Sequence, residues 1–187
     1  PKTPLKKIEL WIHDHDTNED ELVESVEVTK EDPAGKYKIP WDTCAKTRSG
    51  HKYNVFVRVY DQAGNTINSN IAVVTIKNMP IAYLITPGDN MIVTGIVDIR
   101  FEAHASSKRV KLEKTEVWIQ DILTGEVKKV VDDEIGRESK DGRYTIKWDS
   151  RGDTENGKRY YFFIRVYDSN GNYYTTPNII ITVRNAG

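Results

Sequence analysis

The chain has 187 residues, of which 38% are hydrophobic and 29% charged, so it has room for one or two ordinary globular domains. Its 27 basic and 28 acidic residues give a formal net charge of -1. That balance argues against nucleic acid as a partner, because phosphate binding needs a basic surface. No apolar run approaches the roughly 18 residues of a membrane-spanning helix, so the sequence predicts no membrane insertion.

The sequence repeats itself, without a gap, at an offset of 107 residues. Aligning residues 1–78 with 108–185 gives 28 identical positions. The similarity is strongest in three pairs of segments: 7–14 with 114–121, 35–42 with 142–149, and 50–61 with 157–168. Residues 81–107 have no counterpart in the first copy. The repeat therefore predicts two domains, 1–78 and 79–187, the first of them shorter by about 27 residues.

Seven segments of the second copy show β-type alternation between turn signals. In chain order they are 82–86, 97–103, 115–121, 127–131, 143–149, 160–168 and 179–183. Seven short strands without a helical period are typical of an Ig-like β-sandwich. The first copy has counterparts only from the third strand onward. We therefore expect an all-β protein of two tandem Ig-like sandwiches, the first lacking its two N-terminal strands.

Two further patterns support a sandwich. Trp41 and Trp148 alternate inward and are expected to lie in the core. Tyr53 and Tyr160 each follow a glycine by three residues at the start of the sixth strand, and this strand start resembles a tyrosine corner.

Five motifs of the second copy follow one another along the chain as a series. They are Ile85-x-Pro87, Glu116-Val-Trp-Ile, Tyr144-x-Ile-x-Trp148-Asp, Gly157-x-x-Tyr160 and Val166-Tyr-Asp-x-x-Gly-Asn172. This series resembles the bacterial and archaeal Ig-like domain family, whose members are tandem modules of secreted and cell-surface proteins. The resemblance implies an extracellular or cell-surface location. It leaves the role open among stalks, adhesins, filament parts and accessory domains of secreted hydrolases.

The strands absent from the first copy have two possible sources. They either belong to an upstream segment of the same protein or come from another chain by donor-strand complementation. The second source would make the chain a filament or surface-layer subunit. A distorted first copy is the remaining alternative.

An aromatic surface is expected on the outer face of the third and sixth strands. It consists of outward side chains that alternate with the core: Trp11, Phe56, Arg58, Trp118, Tyr161, Phe163, Arg165 and Tyr167. Such a set fits shielding of the sheet by Arg–Trp cation–π pairs, a protein interface, or stacking on sugar rings.

Metal and catalytic signals are weak. Asp61 and Asp168 begin the last hairpin loop, where they favour turn capping over calcium binding. The run from His13 to Asp16 offers too few ligands and is not repeated. Cys44 has no nearby histidine, and no catalytic motif occurs. The sequence therefore predicts no cofactor and no enzyme.

Together these observations favour a non-catalytic extracellular structural or adhesive module that contacts copies of itself or other cell-surface proteins. The rival hypothesis is an accessory domain pair of a secreted hydrolase, with carbohydrate as its candidate ligand.

Overall fold

The computed structural model describes residues 3–185, in which fourteen β-strands form three sheets. The chain divides into two compact units, Pro1–Asn78 and Met79–Gly187, called unit 1 and unit 2 below. Among the described residues, no helix is long and apolar enough to cross a membrane. The all-β prediction is confirmed.

Unit 1 contains one five-stranded antiparallel sheet within its described residues. Its strands are β1 (Leu5–Asp14), β2 (Asp20–Glu27), β3 (Lys52–Asp61), β4 (Thr66–Asn68) and β5 (Ala72–Thr75). The order is β2-β1-β3-β4, with β5 also paired to β3. The ten-residue strands β1 and β3 alternate inward and outward side chains, and their pairing places Trp11 directly opposite Phe56.

Unit 2 repeats this sheet and adds a second one. Its strands are β6 (Ile81–Thr86), β7 (Met91–Val93), β8 (Ile96–His104), β9 (Leu112–Asp121), β10 (Val127–Glu134), β11 (Arg143–Asp149), β12 (Arg159–Asp168), β13 (Tyr173–Thr175) and β14 (Ile179–Val183). One sheet has the order β10-β9-β12-β14-β7, with β13 also paired to β12. The other has the order β11-β8-β6, and the core lies between the two.

The strand predictions for unit 2 agree closely with the structure. Segments 143–149 and 179–183 coincide with β11 and β14, and the other five lie within three residues of an observed strand. The short strands β7 and β13 were not predicted. The tyrosine corners are present: the Tyr160 hydroxyl accepts a hydrogen bond from the Glu155 N–H at 3.0 Å, and Tyr53 accepts one from Arg48 at 2.9 Å.

The structure of segment 36–42 differs from the strand that the repeat predicts there. This segment repeats the sequence of β11, yet the structure gives it no strand. Among residues 3–185, β11 pairs with β8 alone, and β8 has no counterpart within 3–78. An isolated strand has no partner for its backbone N–H and C=O groups, so the same sequence pattern remains irregular.

The hydrophobic core cluster of unit 1 is also smaller than that of unit 2. Fifteen buried hydrophobic side chains form the core cluster of unit 2, whereas the corresponding cluster of unit 1 contains Ile12, Tyr53 and Ile76. Trp148 is 2% exposed, as expected for a core residue. Its counterpart Trp41 is half-buried and packs against the smaller cluster.

Candidate functional site

The outward face of unit 2 brings Trp118 and Phe163 together as expected. They are direct partners on β9 and β12, and their ring centroids lie 6.3 Å apart with an interplanar angle of 2°. The Arg165 guanidinium lies 5.4 Å from the Trp118 ring centroid and 4.7 Å from that of Tyr173. This arginine therefore joins two rings as a cation–π partner.

Unit 1 repeats the arrangement on β1 and β3. The Arg58 guanidinium lies 5.0 Å from the Trp11 ring centroid. Its Nε donates a hydrogen bond to the Asn68 side chain at 2.9 Å, which fixes the arginine over the indole. Trp11, Phe56 and Arg58 are all half-buried, so the surface is partly closed by its own side chains.

The remaining predicted members of the surface are Tyr161 and Tyr167. Tyr167 lies beneath the Lys114 ammonium, 4.8 Å from its ring centroid, and 5.2 Å from the Tyr173 ring. Tyr161 is half-buried opposite Gln120 and has no counterpart in unit 1, where Asn54 stands instead. Tyr60 takes the place of Tyr167 in unit 1 and lies beneath Lys7, 4.3 Å from its ring centroid. The repeated part of the surface is therefore Trp–Phe–Arg–Tyr, and the tyrosine at 161 belongs to unit 2 alone.

A buried glutamate at the centre of each surface was not predicted. Glu9 is 5% exposed and accepts hydrogen bonds from Trp11 Nε1 at 2.9 Å, Lys7 Nζ at 2.7 Å and the Tyr60 hydroxyl at 2.9 Å. Burial alone would raise the pKa of Glu9, but these hydrogen bonds outweigh it and hold the pKa below its ordinary value. The repeat could have pointed to this residue, because glutamate stands at both position 9 and position 116.

Glu116 has the same role in unit 2. It is 4% exposed and accepts hydrogen bonds from Trp118 Nε1 at 3.2 Å, Lys114 Nζ at 3.1 Å and Lys129 Nζ at 3.3 Å. Burial raises its pKa, and the hydrogen bonds from Lys114 and its neighbours lower it by more. The indole nitrogens of Trp11 and Trp118 thus each donate to a buried carboxylate, and an arginine lies over each ring.

The two weak calcium candidates cap their own hairpin turns. Asp61 accepts hydrogen bonds from the backbone of Ala63 at 2.9 Å and of Asn65 at 2.8 Å. The hydrogen bonds from Asn65 are the main cause that lowers the pKa of Asp61. Asp168 accepts the equivalent bond from the backbone of Asn172 at 3.0 Å. This geometry is that of turn capping, the role that the sequence favoured for these residues.

The run from His13 to Asp16 does not converge as a group. The His13 ring is bonded to Asp20 at 2.8 Å, and the His15 ring to Asn54 at 2.7 Å. Asp14 instead meets His51, whose Nδ1 lies 2.9 Å from its Oδ2.

A cluster of Asp14, Asp16 and His51 results, with one ligand atom of each within 4.8 Å of the others. Burial raises the pKa of Asp14, but hydrogen bonds from His51 and the Asp16 amide lower it to about 2. In unit 2 the Lys158 ammonium lies 3.2 Å from Asp121 at the equivalent place. In unit 1 a histidine therefore takes the position of the lysine that pairs with this aspartate in unit 2.

No protein-family model matches the chain, and no curated protein matches it. Among solved structures, it is similar to the Clostridium thermocellum CbhA fibronectin(III)-like modules, with a TM-score of 0.41 and 20% identity over 100% of this chain and 82% of that chain. It is also similar to the endo-beta-1,4-mannanase from Thermotoga petrophila (TM-score 0.41, 18% identity, 57% of this chain and 20% of that chain). A third similar structure is dimeric latent PorU from Porphyromonas gingivalis (TM-score 0.40, 17% identity, 97% and 16%).

Proposed function

We propose that the chain is a non-catalytic structural or adhesive module of a secreted or cell-surface protein, and that a strand from a neighbouring chain completes unit 1. One contrast carries the proposal. Phe162, Ile164 and Val166 on β12 are 0% exposed, whereas the equivalent valines of β3, at positions 55, 57 and 59, are only half-buried. The inner face of the same sheet is thus covered in unit 2 and partly open in unit 1.

The sheet edge supports the same proposal. In unit 2, β7 pairs with β14 in parallel and covers its edge. Within residues 3–185, β5 occupies the place of β14 and pairs with β3 alone. Val73 on β5 and the preceding Ile71 are 63% and 57% exposed. An open edge flanked by exposed apolar side chains is a template for strand addition.

The energetic gain from completion is sizeable. Fully burying a Val side chain is worth about 1.5–3 kcal/mol relative to leaving it exposed, so three half-buried valines stand to gain a few kcal/mol together. That is a large share of the roughly 5–15 kcal/mol by which a domain is stable. Covering these valines therefore contributes part of the free energy that would bind a partner strand.

The size of the purified chain and the protection of its amides test the proposal together. We expect unit 1 to exchange its amide hydrogens faster than unit 2 in the isolated chain, and to slow when the chain is assembled with its natural partners. A stable monomer whose unit 1 is protected as well as unit 2 would contradict strand donation.

A second candidate is carbohydrate binding by an accessory domain pair of a secreted hydrolase. The nearly parallel Trp118 and Phe163 rings favour it, because aromatic faces stack on sugar rings. A pull-down on insoluble polysaccharide tests it, with Trp118→Ala as the variant. Binding by the unaltered chain that is lost in the variant would support this function, and no binding would leave the structural role.

A further inference from the structure

We infer that segment 36–42 of unit 1 is a preformed seat for one extended strand of the β8 type, supplied by another polypeptide. The inference rests on the proposed function and specifies its partner. The counterpart of the seat in unit 2 is β11, which pairs with β8.

The turn that leads into the seat is already built. The backbone N–H of Asp32 donates to the Tyr37 hydroxyl at 3.1 Å, as that of Ser139 donates to Tyr144 at 3.0 Å in unit 2. The chain therefore enters the seat by the same turn through which it enters β11, although no strand follows.

The residues that close the seat are also in place. The Thr43 hydroxyl donates to Asn78 Oδ1 at 2.9 Å, as Ser150 donates to Asn185 Oδ1 at 2.9 Å. In unit 2 the same oxygen of Asn185 accepts a hydrogen bond at 2.9 Å from the N–H of Gly95, directly before β8. Asn78 is 9% exposed and holds the oxygen that would accept the incoming backbone.

The register of unit 2 defines the chemistry of the occupant. In the antiparallel pair of β8 and β11, three apolar positions of β8 face three ring-bearing or branched positions of β11: Phe101 opposite Tyr144, Ile99 opposite Ile146, and Val97 opposite Trp148. The seat presents Tyr37, Ile39 and Trp41 at these places. The occupant is therefore a strand with apolar residues at alternate positions, an aromatic one opposite Tyr37.

Pro40 fits this arrangement. Ala103 donates its N–H to the Gly142 carbonyl at 2.8 Å, and bonded pairs alternate along an antiparallel ladder. The N–H of Lys147, five residues beyond Gly142, therefore points away from β8. Pro40 takes the place of Lys147, so the missing N–H costs the ladder no bond, and proline is tolerated at such an edge position.

A second copy of residues 1–187 is a poor donor. Each copy contains one β8 for two places that would hold it, and Ile99 and Phe101 of β8 are 0% exposed in their own core. Donating β8 would open unit 2 of the donor as it closed unit 1 of the acceptor. A β8-type strand of a different polypeptide would fill the seat without opening any copy of unit 2.

The test adds a peptide with the sequence of residues 94–105 to the whole chain and follows amide hydrogen exchange by NMR. We expect exchange at Tyr37, Ile39 and Trp41 to slow by at least about tenfold, while Lys38 stays unprotected. This alternation distinguishes an antiparallel strand from nonspecific apolar binding. A peptide with Ile99→Asp and Phe101→Asp is the matched control and should protect nothing.

Two variants of the chain sharpen the result. Ile39→Asp should abolish the protection, whereas Lys38→Glu, whose side chain lies on the opposite face, should keep it. Absence of protection, protection without alternation, or a seat already protected in the free chain would overturn the inference.

A chain with residues 79–107 fused before Pro1 separates the possible sources. Protection in this fusion, combined with none by the free peptide, would assign the strand to the same polypeptide and overturn the inference. Peptide binding without assembly of the chain would remove the proposed function and leave the inference standing. Assembly of the chain without protection of segment 36–42 would overturn the inference and leave the proposed function standing.

Discussion

Val59 and Val166 are the same residue at the same place in the two copies, and shortening each of them measures how complete the two cores are. Val166 is 0% exposed between the two sheets of unit 2, whereas Val59 is half-buried on the one sheet that the described residues of unit 1 form. We expect Val166→Ala to destabilise unit 2 by more than Val59→Ala destabilises unit 1.

The magnitude follows from burial. Removing two buried carbons of Val166 forfeits about 0.8 kcal/mol each, and the cavity left in a closed core brings the loss to about 2–3 kcal/mol. At Val59 part of the side chain is already in water and the site is open enough to relax. The loss there should be about 1 kcal/mol.

Urea unfolding followed by hydrogen-exchange mass spectrometry reports on each unit separately, which one spectroscopic signal would not do. Equal losses at the two positions would refute the reasoning, because they would mean that the inner face of unit 1 is as well covered as that of unit 2.

Three further predictions test the polar contacts. The pKa of Asp14 is lowered from 3.8 to about 2 in the folded chain. Its carboxylate should therefore contribute its full stabilisation of unit 1 above pH 3.8 and lose that contribution as the pH drops through 2. His51→Ala should raise this pKa, as measured by carboxyl NMR. Arg165→Ala should cost unit 2 about 0.5–1 kcal/mol and change the fluorescence of Trp118, and an unaltered spectrum would argue against the cation–π pair. Tyr160→Phe should cost about 1 kcal/mol in urea unfolding by removing the tyrosine-corner hydrogen bond, and unchanged stability would contradict that role.

Much of unit 2 was predictable because its strands alternate regularly between glycine-rich turns. The period of two placed Trp118 and Phe163 on the outer face, and the structure brings them together. The short strands β7 and β13 were missed because three residues are too few to show a period. Their pairing is decided by neighbouring strands rather than by their own sequence.

The features that the sequence did not predict depend on contacts between residues distant in sequence. Segment 36–42 carries the pattern of β11 but lacks its partner, so local sequence alone predicted a strand that the structure does not contain. Glu116 lies on the outward face of β9 between Lys114 and Trp118, yet three donors around it bury it. His51 reaches Asp14 from 37 residues away, and no local pattern pairs them.

One matched pair of amides tests the incompleteness of unit 1 most directly. The Val57 N–H donates to Ser69 Oγ at 3.0 Å, and the equivalent Ile164 N–H donates to Thr176 Oγ1 at 3.0 Å. Because the two hydrogen bonds are alike, native-state exchange compares the free energies that open the two units. We predict a lower opening free energy at Val57 than at Ile164, and a rise at Val57 when a partner strand is bound. Equal values in the free chain would contradict the account.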